Sequence, residues 1–240
     1  MLPWITLDTA KIPDASLAGG EGELRLKQRG QEFSIMLGTN ELMNSRLSGS
    51  EEALANLGCV RIAGRARPDV LIGGLGMGFT LRAALTALGA DARVTVAELV
   101  PAVVAWARGP MAGLFAGSLE DPRVTIREAD VGRVMGERAA SFDAILLDVD
   151  NGPEGLTAEA NDSLYSTAGL GMARAALRPG GVFAVWSAAP DAAFAQRLKR
   201  VGFSVEEVRV RANRGRSGTR HVIWLAVKGG GGDAPLPRSR

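Results

Sequence analysis

Cysteine, histidine and tyrosine each occur once in this chain of 240 residues, and long apolar runs are missing altogether. With Cys59 alone, no internal disulfide can form. One cysteine and one histidine cannot build a His/Cys tetrahedral zinc site, so no metal is expected. A Ser-His-Asp site would have to use His221, which sits in the apolar run Val222 to Val227, and no nucleophile-elbow motif accompanies it. His221 reads instead as a structural or site-rim residue. No glycine loop is followed by Lys-Ser or Lys-Thr, which excludes an ATP-binding P-loop. No run approaches the ~18 apolar residues of a membrane span, and Met1 to Leu17 lacks the charged-then-apolar pattern of a secretory leader. A cytoplasmic protein without membrane attachment is expected.

Charge of one sign is also lacking. The formal net charge is +2, too near neutral for a nucleic-acid groove. The late basic residues Arg209, Arg211, Arg214, Arg216 and Arg220 read as a solvated strand and loop. Hydrophobic content of 46% and charged content of 22% fit an ordinary globule with one sizeable domain and a small appendage.

What the chain does have is a glycine turn between two apolar runs. Val70-Leu71-Ile72 leads into Gly73-Gly74-Leu75-Gly76-Met77-Gly78, and Val94-Thr95-Val96-Ala97 ends in Glu98, about 20 residues later. This is how a βαβ unit holds a nucleoside. Glycines let the backbone approach the ligand, a helix N-terminus faces it, and a carboxylate takes the ribose hydroxyls. A dinucleotide fingerprint fails here, because Phe79 stands where G-x-G-x-x-G needs its third glycine. The G-x-G-x-G form suits S-adenosylmethionine folds, which hold no pyrophosphate.

Strand and helix patterns alternate from Pro68 onward. Strand-like runs are Asp69–Ile72, Arg93–Glu98, Val124–Glu128, Phe142–Asp148, Val182–Ser187, Ser204–Arg211 and Arg220–Val227. Helical patterns cover Phe79–Leu88, Pro101–Arg108, Val131–Glu137, Asp162–Leu177 and Asp191–Val201. Gly180-Gly181 reads as a helix stop. Five βα repeats and two closing strands predict an α/β, Rossmann-like fold. Its seven-stranded sheet is mainly parallel, with an antiparallel hairpin at one edge. Residues 1–50 form a small N-terminal β region, irregular to residue 20 and then a hairpin over Glu23–Arg29 and Gln31–Leu37. Asn40 to Ser50 is a polar connection and Glu51–Leu57 a short helix. Residues 51–228 are the nucleoside-binding domain and 229–240 a disordered tail.

Further along lie Asp121-Pro122-Arg123-Val124, Asp130 past the third strand, Asp148-Val149-Asp150-Asn151-Gly152-Pro153 at the fourth, and Leu164-Tyr165. With the glycine loop and Glu98, these resemble the spermidine synthase-like (polyamine aminopropyltransferase) family, a branch of the class I methyltransferase fold, over about residues 68 to 187. The resemblance implies that Gly73, Gly74, Gly76, Gly78, Glu98 and Asp130 bind the nucleoside, with Glu98 on the ribose and Asp130 on the adenine amine. It implies that Asp148, assisted by Asp150, holds or deprotonates an attacking amine, and that the protein is a homodimer. Asp130 has a second reading as the cap of the helix that follows it. Glu51, Tyr165 and Trp186 are further substrate-side candidates, although Tyr165 and Trp186 also read as packing.

Two positions depart from the family pattern. The loop carries Gly76-Met77 where the family has an acid that pairs with the amine of decarboxylated S-adenosylmethionine. The family's N-terminal Tyr-His pair is replaced by Leu47-Ser48-Gly49-Ser50-Glu51-Glu52. The expected function is therefore transfer of an alkyl group from S-adenosylmethionine, or its decarboxylated form, to a small-molecule amine. Methyl transfer is ranked slightly ahead, with intact S-adenosylmethionine binding roughly tenfold tighter. The alternatives are a polyamine aminopropyltransferase making spermidine from putrescine and a non-catalytic nucleoside-binding module.

Overall fold

The computed structural model describes residues 2–13, 21–149, 163–213 and 219–230. Four N-terminal strands, β1 (Ile5–Pro13), β2 (Glu21–Arg29), β3 (Glu32–Leu37) and β4 (Asn40–Asn44), form an antiparallel sheet in chain order. The expected hairpin is there as β2 and β3. The irregular start and the polar connection were each misread, because β1 and β4 occupy them. β1 hides its alternation by a register shift between Thr6 and Asp8, which switches the faces of its side chains. β4 is polar at both ends.

The second sheet has strands β5 (Asp69–Gly73), β6 (Arg93–Glu98), β7 (Val124–Glu128), β8 (Phe142–Leu147), β9 (Leu177–Ser187), β10 (Phe203–Arg211) and β11 (Arg220–Lys228). Their order is β10-β11-β9-β8-β5-β6-β7. The run from β9 to β7 is parallel, and β11 pairs antiparallel with both β9 and β10. The α/β reading therefore stands. β9 begins five residues earlier than expected, and helix 167–176 ends before it. Arg178 precedes Pro179, which disfavours helical backbone at that residue, so the helix stops ahead of Gly180.

Seven helices are described: α1 (Gly49–Arg61), α2 (Phe79–Ala87), α3 (Pro101–Arg108), α4 (Ala112–Phe115), α5 (Val131–Gly136), α6 (Thr167–Ala176) and α7 (Ala192–Val201). The alternating faces of the central strands feed two cores. Ile72, Leu146 and Ala184 pack with α1, α2, α3 and the N-terminal sheet through Leu24, Leu26, Phe33 and Ile35. Leu71, Ile145 and Phe183 pack with α5, α6 and α7. Trp106 of α3 also donates its indole N–H to Asp8 of β1 at 2.7 Å. No helix among the described residues is long and apolar enough to cross a membrane.

Two charged clusters hold the ends of this scaffold. Buried Asp143 at the start of β8 accepts from Arg65 at 2.5 Å, Arg178 at 2.5 Å and the Asp69 backbone N–H at 2.8 Å. Asp69 in turn accepts from Arg93 and Arg178.

The second cluster is the Asp-Pro-Arg-Val motif. Asp121 grips the Arg123 guanidinium at 2.8 and 2.9 Å. Arg123 Nη1 then donates to the carbonyls of Leu85, Leu88 and Gly89, in the last turn of α2 and just past its end. The motif is a helix clamp. Its hydrogen bonds from Arg123 hold the Asp121 carboxyl down at about 2, so the pair stays charged through and above the ordinary aspartate range and opens only as the pH falls towards that value. Arg123→Met should destabilise the protein by about 1 kcal/mol, the net worth of hydrogen bonds to carbonyls that water can partly reach. Urea unfolding measures this, and a loss under 0.5 kcal/mol would mean that water replaces the guanidinium.

Candidate active site

The carboxyl ends of β5, β6 and β8 meet at the glycine loop, where open α/β sheets bind ligands. Gly73 still belongs to β5 and packs against Leu147 and Val131. Gly74 has φ +88° and a Cβ there would stand 2.4 Å from the Asp148 carbonyl oxygen, so only glycine lets the loop pass β8. Gly78, at φ +76°, backs onto the Phe115 ring and opens α2. Gly76 lies between them on the cavity side.

Glu98 ends β6 at 7% exposure, and its position has a cause that the sequence did not reveal. Its carboxylate accepts from the Leu75 N–H at 2.8 Å and the Val100 N–H at 2.9 Å, tying the glycine loop to the start of α3. Asp130 is the N-cap of α5, accepting from the Arg133 N–H at 2.8 Å, as its second reading anticipated.

Asp148 follows β8. Its backbone N–H donates to Gly73, and Thr80 donates its hydroxyl to Oδ2 at 2.6 Å. Thr80 is buried in the first turn of α2 and escaped the sequence reading, its partner being 68 residues away. Burial, joined by the nearby Glu51 carboxylate, pushes the Asp148 carboxyl up to about 7, with Thr80 opposing. Burial likewise raises Glu51, which sits in the first turn of α1. Two carboxyl groups thus share a poorly hydrated place.

A cavity of about 80 Å³ joins Glu51 and Asp148 to Gly76, Met77, Trp186 of β9, and Met43 and Asn44 of β4. The β4 residues were missed because their strand was read as a connection. Trp186, proposed as a wall, lines this space, and its indole N–H has no hydrogen-bond partner among the described residues. Tyr165 does not line it. At 3% exposure its ring meets Phe194 edge-on at 5.6 Å, in the core on the other face of the sheet, so packing accounts for it. Asp150, Asn151, Gly152 and Pro153 lie outside the described residues, as do Arg214, Arg216 and the chain beyond Gly230.

A larger cavity of about 680 Å³ lies at the amino ends of β5 and β6. Arg93, Arg123, Arg127 and Arg178 line it, and each already holds a carboxylate. The smaller cavity is therefore the candidate site.

Comparison with known proteins gives a consistent picture. No protein-family model matches the chain. Polyamine aminopropyltransferase 1 of Streptomyces coelicolor is 31% identical over 150 residues, 59% of this chain and 27% of that protein. The polyamine aminopropyltransferase of Mycobacterium tuberculosis is 34% identical over 128 residues, 52% of this chain and 23% of its own. The match thus spans about a quarter of the length of these relatives. Two crystal structures of spermidine synthase superimpose with a TM-score of 0.73. One is in complex with the transition-state analogue AdoDATO, at 19% identity, covering 93% of this chain and 74% of that one. The other is from Thermotoga maritima, at 18% identity, covering 93% and 73%. The chain has the spermidine synthase fold, within the class I methyltransferase-like architecture, and its sequence is similar to polyamine aminopropyltransferases.

Proposed function

We propose that this protein is a transferase that moves an aminopropyl group from decarboxylated S-adenosylmethionine to a small-molecule amine. The observation that carries the reading is the pair of carboxyl groups, Glu51 and Asp148, facing one cavity beside the glycine loop. A cavity of about 80 Å³ is too small for a nucleoside and of a size for the reacting amine. An ammonium entering between Glu51 and Asp148 would relieve the repulsion that holds their protons on.

The glycine loop and Glu98 suit a nucleoside donor, with backbone close approach on one side and acceptor oxygens on the other. When bound, such a sulfonium donor supplies an electrophilic carbon and a thioether leaving group that needs no proton. The residues then do three things. They position the amine, they take its proton, and they keep water out. An amine of ordinary pKa about 10.4 must lose a proton before it attacks. A carboxyl titrating near 7, as burial makes Asp148, is well placed to accept it at neutral pH.

The ranking of methyl transfer ahead of aminopropyl transfer is reversed here. It rested on the missing acid at Gly76 and Met77, yet Glu51 lines the same cavity as both, so a counter-charge stands beside the loop from a different helix. The names of the similar proteins point the same way. Decarboxylated S-adenosylmethionine should bind about tenfold more tightly than the intact form, whose α-carboxylate would face Glu51. Parallel calorimetric titrations measure this, followed by mass spectrometry of putrescine incubated with each donor. Tighter binding of intact S-adenosylmethionine with a methylated product would establish methyl transfer, and binding with no product would leave a nucleoside-binding module.

A further inference from the structure

The chain's only histidine lies against the candidate site. His221, on β11, packs edge-on to Trp186 with ring centroids 4.7 Å apart, and Trp186 walls the cavity. Its Nδ1 is 2.9 Å from the hydroxyl of Ser50, a residue 171 positions away in sequence and 1% exposed. Ser50 in turn donates to Glu51 Oε2 at 2.8 Å. Three polar side chains from α1 and β11 thus form a line that ends at a cavity-facing carboxyl. α1 is seated for this at its first residue. The Gly49 N–H donates to the Ala212 carbonyl, and a Cβ on Gly49 would stand 2.9 Å from the Arg211 carbonyl oxygen.

We infer that Ser50 and His221 are a positioning pair for Glu51 and the exit path for the proton released by the acceptor amine. The inference rests on the amine-transfer reading of the site. A serine hydroxyl has one proton. While Glu51 is ionised that proton is given to Oε2, so His221 must donate from Nδ1, and the line holds the carboxylate in one orientation. When the proton that Asp148 takes from the amine passes on to Glu51, the carboxyl that shares its cavity, the Ser50–Glu51 bond reverses and His221 exchanges through water from the Nδ1–H to the Nε2–H tautomer, one proton taken up and one given up. The Glu51 proton passes to Ser50 Oγ as the Ser50 proton passes to His221 Nδ1, and the Nε2 proton of the resulting imidazolium leaves to water. Glu51 ends ionised again, Ser50 unchanged and His221 as the Nδ1–H tautomer of the resting line, with one proton from the amine released to water. Burial of His221 favours its neutral form between turnovers. The groups that bear charge around this line are Glu51 and Asp148 on the cavity side, Glu52 next to Glu51, and Arg220 beside His221.

A lone histidine gives a single set of imidazole resonances, so the line can be tested without donor or acceptor. In ligand-free protein at pH 8.5, ¹⁵N shifts should show His221 as the Nδ1–H tautomer. Ser50→Ala should return it to Nε2–H, and Glu51→Leu, which frees the Ser50 proton to turn toward Nδ1, should do the same. Nε2–H in the unmodified protein, unaltered by either substitution, overturns the inference.

Kinetics with decarboxylated S-adenosylmethionine and putrescine give the second arm. His221→Gln keeps an N–H for Ser50 but cannot relay a proton, so kcat should fall about tenfold with KM for the amine within twofold of normal. His221→Leu, which also loses the donor, should raise that KM about fivefold in addition. An unchanged kcat in His221→Gln overturns the exit path. If the unmodified protein transfers nothing to putrescine, the proposed function falls, and the hydrogen-bonded line is judged on the tautomer alone.

Discussion

Replacing Asp148 with asparagine is expected to lower turnover by about 10²-fold or more while leaving donor affinity nearly intact, the split expected of a group that handles the nucleophile and not the nucleoside. The same substitution should stabilise the protein. Burial and the Glu51 carboxylate raise the Asp148 carboxyl from 3.8 to about 7, so the folded chain binds more protons than the unfolded chain between those values. Stability therefore falls as the pH rises through that window, and the full cost is present above pH 7. Asparagine carries no such cost. The melting temperature of Asp148→Asn should exceed that of the parent by roughly 2–8 °C at pH 8, corresponding to ~1–2 kcal/mol, and match it below pH 4. Calorimetry at the two pH values together with steady-state rates tests both halves. A variant that is less stable at pH 8 would mean that the Thr80 hydrogen bond outweighs burial.

The second large effect lies at the opposite end of the same strand. Asp143→Ala should destabilise the fold by about 3–5 kcal/mol, the range for removing one partner from a buried ion-pair cluster. Asp143 is 3% exposed and satisfies two guanidinium groups and the Asp69 N–H at once. Removing it leaves Arg65 with the Pro179 carbonyl as its partner and puts Arg178 and Arg93 on Asp69 alone. Denaturant unfolding gives the number, and a loss below 1 kcal/mol would show that Asp69 alone carries the cluster. Asp143→Asn should fall between, since it keeps an acceptor and loses the charge.

Much of the parallel sheet could be read from the chain because β5, β8 and the second half of β9 are apolar runs, buried on both faces and bounded by glycine, proline or charge. β6, β7 and α3 fall on the residues expected from pattern alone. Elements whose signal is not periodicity were harder. β1 changes face at a bulge, β4 is polar at both ends, and β9 begins where Pro179 constrains Arg178.

For the site, residue type and spacing pointed to the glycine loop, Glu98 and Asp148. They did not reveal what each side chain touches. Glu98 braces the loop through two backbone N–H groups, and the most recognisable motif, Asp121 to Val124, turned out to clamp a helix. Thr80 beside Asp148 and Ser50 beside His221 are contacts between distant stretches, which only the folded topology brings together.

The pocket has two owners. Met43 and Asn44 come from β4, whose sheet is separate from the seven-stranded one among the described residues, whereas Gly76, Asp148 and Trp186 sit at one end of the parallel sheet. A lineage could therefore rewrite the first forty-odd residues and resize what fits, while the loop, its Glu98 brace and the carboxyl at the end of β8 pass on unaltered. Shape and chemistry are inherited from separate stretches of one gene. Selectivity is free to wander without the reaction having to be invented again.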